Sequence, residues 1–291
     1  MFDDSTFLFG GRTLVIVFDN HLHLRRDGRF LDAVKDFKKA GGTHFILCQY
    51  PMTELVIKNK SYVECYNETL KMAEEIRSDI DIGVFVTVGP YPVDYIRLLE
   101  KFGRELAVQI MKKGIDEAAA LCAEKKCVGI GEIGRPHFPV GKKIFEDSNE
   151  ILLYGMNRAR DVCVPVILHT ESTTPQDCKE FVEMGEKIGL PASKIVKHYS
   201  PPLILKSENY GLMPSVLASK KNILCALEKG SRFMMETDYI DDPRRPGAVL
   251  SPKTVPKRTF NLMEKGILSE DQAYEIHKEN PEKTYNIDLE G

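Results

Sequence analysis

Two histidines two residues apart, in Asp19-Asn20-His21-Leu22-His23-Leu24, close the apolar run Leu14-Val15-Ile16-Val17-Phe18. On an extended strand, residues i and i+2 project from one face. The two imidazoles are therefore a ready pair of metal ligands. Four more ligand-type residues follow, each ending an apolar run of its own. They are Glu132 in Val128-Gly-Ile-Gly-Glu-Ile-Gly, His169 in Pro165-Val-Ile-Leu-His, His198 in Lys194-Ile-Val-Lys-His, and Asp238 in Phe233-Met-Met-Glu-Thr-Asp. Any one of these could be a hydrogen-bonded structural residue or a helix cap. Six polar or charged groups gathered at one place need a cation to offset the cost of burying them.

The spacing says which elements bring them together. From Glu132 the gaps are 37, 29 and 40 residues, and one strand, its helix and two loops take about 30–40 residues. Apolar runs alternate with helical periodicity along the whole chain. Strands are expected at Leu14–His23, Thr43–Cys48, Ile82–Val88, Val128–Ile133, Val164–His169, Lys194–Tyr199, Leu212–Leu217 and Arg232–Thr237. Helices are expected at Phe30–Lys39, Tyr62–Ile76, Asn149–Asp161, Cys178–Ile188 and Asn222–Lys229. Between Val93 and Lys125 two helices should join near Gly114, and Lys257–Glu264 and Glu270–Glu279 should close the chain. Alternation predicts a parallel α/β sheet. Ligand-type residues at strand ends predict that it closes as one (β/α)₈ TIM barrel, a single domain over residues 1–291 with the metal site at the C-terminal ends of the strands.

Composition narrows the chemistry. Apolar residues are 43% and charged residues 29%, with a net charge of −3. That balance is ordinary for a globular protein and gives no overall basic surface for gripping nucleic acid. The seven cysteines contain no CxxC pair and read as reduced thiols of a cytoplasmic protein. The start Met-Phe-Asp-Asp lacks the basic segment of a secretory signal, and no apolar run is long enough for a membrane span. No GxGxxG or Walker loop suggests an organic cofactor, and no GxSxG elbow suggests a serine nucleophile. Two loops leave the metal face, Pro136-His137-Phe138-Pro139-Val140-Gly141 and Asp241-Asp242-Pro243-Arg244-Arg245-Pro246-Gly247. Lys142-Lys143 is expected to be solvated loop. Arg135, His137, Arg244 and Arg245 are the candidate substrate-binding residues, with Arg135 on the rim holding an anion beside the metal. Arg25 and Arg26 are weaker candidates of the same kind.

The order HxH, Gly131-Glu132-Ile133-Gly134, His169, His198 and Glu236-Thr237-Asp238 resembles the TatD-like branch of the metal-dependent amidohydrolase superfamily, and Glu279-Asn280-Pro281 resembles its closing signature. The resemblance spans Asp19 to Tyr285. It implies a barrel with one or two divalent ions, Zn²⁺ foremost, with Mn²⁺, Fe²⁺, Co²⁺ or Mg²⁺ as alternatives. His21 and His23 would bind one ion, Glu132 would bridge two, and His169 and His198 would hold the second. Asp238 would bind metal and, with Glu132, serve catalysis by handling the proton of a metal-activated water. Typical members are metal-dependent deoxyribonucleases, so DNA or a small phosphoester is the expected substrate. Hydrolysis of a small amide, lactone or phosphoester is the alternative. The chain departs from the family pattern at Arg135-Pro136-His137 after Gly134 and at Tyr199-Ser200-Pro201-Pro202 after His198.

Overall fold

In the computed structural model, which describes residues 16–242, 244 and 250–290, the alternation becomes a parallel barrel. The strands are β1 (Phe18–His23), β2 (His44–Cys48), β3 (Gly83–Val88), β4 (Gly129–Gly134), β5 (Val166–His169), β6 (Ile195–Ser200), β7 (Met213–Leu217), β8 (Met234–Glu236) and β9 (Tyr239–Ile240). Their order in the sheet is β8-β7-β6-β5-β4-β3-β2-β1-β9, and every pairing is parallel.

The expected eighth strand, Arg232–Thr237, is shortened to Met234–Glu236, and a further two-residue strand follows it. β8 pairs with β7, and β9, two residues further on, pairs with β1. The Asp238 N–H between them donates to the His21 carbonyl at 3.0 Å. The Asp19 carboxylate accepts from the Thr237 N–H at 3.0 Å and from Thr237 Oγ1 at 2.7 Å. These bonds close the ring and bring the residues after β8 against the two histidines of β1. Residues Leu14 and Val15 of the expected first strand lie outside the described residues, as does Arg245.

Alternation along each strand separates two apolar layers. Phe45, Leu47, Val84, Val86, Ile130, Val166 and Leu168 pack with the surrounding helices. Phe18, Ile46, Ile167, Val196, Met213 and Met234 form a separate cluster inside the barrel. Strand β4 runs unusually close to β5. A Cβ on Gly131 would lie 2.5 Å from Ile167 Cβ, and one on Gly134 (φ +144°) would lie 2.2 Å from the His169 carbonyl oxygen. The glycines of Gly-Ile-Gly-Glu-Ile-Gly therefore serve close packing and not a nucleotide loop.

The helices are α1 (Leu31–Lys39), α2 (Thr53–Asn59), α3 (Val63–Asp79), α4 (Asp94–Phe102), α5 (Arg104–Ala123), α6 (Lys142–Asp161), α7 (Pro175–Glu186), α8 (Lys206–Asn209), α9 (Lys220–Leu227), α10 (Thr254–Glu264), α11 (Glu270–Tyr274) and α12 (Asn280–Tyr285). Several differ from expectation, three of them as follows. The break between α4 and α5 falls at Gly103, whose φ is +78°, and not near Gly114. Gly114 sits inside α5, where a Cβ would lie 2.4 Å from the Tyr62 ring, so it is a close-packing glycine. Lys142 and Lys143 open α6 and are not loop, because Gly141 in an extended conformation serves as its N-cap. Helix α2 was not expected; it ends at Lys60 in the left-handed conformation.

Candidate metal centre

All six ligand-type residues reach one mouth of the barrel. Burial is near-complete for five, and His169 is half-buried. Parallel strands deliver this: each residue lies within two residues of the C-terminal end of its strand. His21 Nε2 and His23 Nε2 face each other at 3.1 Å. Asp238 Oδ1 is 4.0 Å from the first and 3.9 Å from the second. Glu132 faces all four imidazoles. Its Oε1 is 3.5 Å from His21 Nε2, 3.0 Å from His169 Nδ1 and 3.2 Å from His198 Nε2, and its Oε2 is 3.7 Å from His23 Nε2.

Ligand atoms bound to one ion at about 2.1 Å lie roughly 3.0–3.5 Å apart in tetrahedral or octahedral geometry. The observed separations fall in or just above that range. Two sets meet the requirement at Glu132: His21, His23 and Glu132 on one side, and Glu132, His169 and His198 on the other. The donor set, imidazoles with carboxylates, suits Zn²⁺ and its first-row neighbours.

The outward ring nitrogens of His21 and His23 have hydrogen-bond partners, which aims the inward ones. His23 Nδ1 donates to the Cys48 carbonyl at 3.2 Å, so its Nε2 carries the lone pair. His21 Nδ1 lies 3.1 Å from Cys48 Sγ, and His198 Nδ1 lies 3.0 Å from Glu236 Oε1. Burial drives the His21, His23 and His198 imidazoles below their ordinary range, leaving them neutral with lone pairs to offer. Burial alone would raise Glu132, but the imidazoles of His169, His21 and His23 outweigh it and hold the carboxyl well below the usual range.

Glu236 carries more than the sequence reading gave it. It accepts the Tyr199 N–H at 2.7 Å and a short bond from Ser215 Oγ, which in turn accepts from Asn20 Nδ2 at 2.9 Å. This buried polar chain links neighbouring strands β1, β7, β8 and β6, with the Glu236 carboxylate 3.0 Å from His198 Nδ1. Asp19 and Glu236 were both visible in the motifs; what was missing was the knowledge that their side chains point at β8 and β6.

The sequence from residue 18 to residue 286 matches the family described as TatD related DNase. The chain belongs to the TatD-related family. An uncharacterized protein of Methanocaldococcus jannaschii, MJ1127, is 39% identical over 277 residues, 94% of this chain and 97% of its own. Among solved structures, the TatD homolog YjjV of Escherichia coli superposes with a TM-score of 0.63 at 16% identity, covering 94% of this chain and all of its own. A mutant of a PTE-like lactonase from Deinococcus radiodurans gives 0.62 at 11% identity, over 92% of this chain and 95% of its own. At those identities the structures speak for the fold, the (β/α)₈ barrel of TatD-family neighbours.

Of the residues expected from their loop positions to bind substrate, Arg135 and Arg244 are held by protein partners and His137 stands at the mouth. Arg135 is 1% exposed and not on the rim. Its guanidinium donates to Asn149 Oδ1 at 2.6 Å, to Glu171 Oε1 at 3.2 Å and to Glu180 in a short bond. It lies between the Phe145 and Phe181 rings, 4.4 and 4.7 Å from their centroids. The inward turn follows from these partners, which α6, α7 and the loop between β5 and α7 supply. His137 does reach the mouth, with Nδ1 3.0 Å from His169 Nε2. Arg244 is exposed and bonded to Asp242 at 3.0 and 3.1 Å. The seven cysteines are free thiols, and no helix among the described residues is long and apolar enough to cross a membrane.

Proposed function

We propose that this TatD-family member is a divalent-metal-dependent hydrolase, one domain, that cleaves a phosphodiester bond. The convergence of four imidazoles and two carboxylates at the barrel mouth carries the reading. His21, His23, Glu132, His169, His198 and Asp238 would hold one or two ions, with Zn²⁺ the leading candidate. A divalent ion bound there supplies a water of lowered pKa and polarises the scissile bond. Asp238 takes the proton of the attacking water and returns it to the leaving oxygen. Glu132, kept ionised, balances charge at the centre of the cluster. The Cys48 carbonyl holds His23 in the tautomer that keeps its inward nitrogen unprotonated. Free thiols throughout favour a reducing, cytoplasmic setting.

A second reading is a small carboxylic ester or lactone as substrate. Two observations favour it: Arg135 is buried among protein partners, and a lactonase shares the fold.

Chelator-stripped protein should not hydrolyse bis(4-nitrophenyl) phosphate and should recover on addition of Zn²⁺ or Mn²⁺. Asp238→Asn, loaded to the same metal content, should turn over at least ~10²-fold more slowly, the low end of general acid–base contributions. Full activity of stripped protein, or of metal-loaded Asp238→Asn, contradicts the proposal. A greater rate on a γ- or δ-lactone than on the phosphodiester selects the second reading.

A further inference from the structure

Beside the metal cluster lies a groove of about 730 Å³, formed by the segments after β1 and β2 together with α2 and α3. None of the six cluster residues lines it, and it neighbours the cluster through Leu24, Arg25 and Tyr50. Leu24 and Arg25 follow His23 in the chain, and the Tyr50 ring on its wall meets the His23 ring edge-on with centroids 6.4 Å apart. Its size is that of a small-molecule site, within the ~300–1,000 Å³ usual for one.

The groove is balanced in charge. Its lining holds four guanidinium groups, of Arg25, Arg26, Arg97 and Arg244, and four carboxylates, of Asp27, Glu54, Glu64 and Glu68. Each of the four guanidiniums is paired. Arg25 bonds Asp27 at 2.6 Å, Arg26 bonds Glu68 at 2.8 Å, Arg97 bonds Glu54 at 2.9 Å and Arg244 bonds Asp242 at 3.0 Å. Between these pairs the lining is Pro51, Met52 and Leu55, which are partly exposed, with Leu24 and Met72 buried behind them. A polyanionic strand finds no net attraction here, since phosphate tracking needs cations free to replace counterions. An uncharged, partly apolar group gains by covering the partly exposed Pro51, Met52 and Leu55.

We propose that this groove binds the non-reacting arm of the substrate, and that the arm is an uncharged aryl or alkyl group and not a run of nucleotides. The proposal rests on the hydrolase reading for the identity of the reacting end, but the groove's preference is measurable without turnover.

The test is calorimetric binding of phenylphosphonate and methylphosphonate to Zn²⁺-loaded protein. The wild type should bind the phenyl compound at least tenfold more tightly. Met52→Glu should erase that ratio while leaving methylphosphonate affinity within twofold, and Met52→Leu should keep it. Thermal melts and metal content certify that the variants are folded and loaded. Equal affinity for the two phosphonates, or a ratio unmoved by Met52→Glu, overturns the proposal. So does displacement of phenylphosphonate by an eight-residue oligothymidylate more tightly than by phenol at physiological salt. If bis(4-nitrophenyl) phosphate is not hydrolysed while the phenyl preference and its loss in Met52→Glu are seen, the hydrolase reading fails and the groove stands.

Discussion

Arg135 stands three residues after Glu132, where a cation beside a metal would clamp an anionic substrate, yet its partners draw it inward. Two aromatic faces and the oxygens of Asn149, Glu171 and Glu180 occupy its guanidinium. Removing it takes away cation–π contacts and packing and leaves two carboxylates facing each other. Arg135→Ala should therefore destabilise the fold by about 2–4 kcal/mol, read by denaturant unfolding. Any loss of activity should be the same on a phosphodiester and on a neutral ester. A loss confined to the anionic substrate would return Arg135 to the substrate. Nothing in the local sequence separates the two fates, because the partners come from α6, α7 and the loop between β5 and α7. The metal-type residues were legible for the opposite reason. Each ends an apolar run, and a parallel barrel gathers strand ends at one mouth wherever they lie in the chain.

At the scale of elements, the closing seam carries the most information about how the site is held. The last strand is split around Thr237-Asp238, and the π-helical turn Glu275–Glu279 places the buried His277 against β1. His277 Nδ1 lies 3.2 Å from the Phe18 backbone and Nε2 lies 2.8 Å from Thr259 Oγ1. Asn280, from the closing signature, donates to the Ser231 and Phe233 carbonyls at 2.8 and 3.0 Å. Burial lowers the His277 imidazole to about 4. The unfolded chain titrates near 6.5, so it binds more protons than the folded one between those values, and stability falls as pH falls. From pH 7.5 to pH 5 this residue alone should cost about 2 kcal/mol. Comparing urea midpoints of wild type and His277→Gln should show that much less acid sensitivity in the variant. An identical pH slope in both would mean that His277 is not buried neutral. The split of the last strand and helix α2 could not be seen in advance. Three-residue and two-residue strands leave almost no periodicity, and α2 is seven residues long with one buried side chain. Glycine was ambiguous too: Gly103 breaks the chain between helices whereas Gly114 lets two elements touch.

On the scale of the whole molecule, a net charge of −3 and a charge-paired groove beside the mouth point the same way. Selectivity comes from local shape and the reacting group, not from a field that draws polyanions. The central claim is that the six converging side chains hold the metal on which hydrolysis depends, with Glu132 shared between both halves of the cluster. Metal content per chain, measured by inductively coupled plasma mass spectrometry after dialysis against trace-metal-free buffer, tests it directly. The wild type should retain one or two divalent ions per chain. Glu132→Gln, of the same shape and facing the same four imidazoles, should lose most of that metal while its thermal melt stays cooperative. Equal metal in the two proteins would contradict the account.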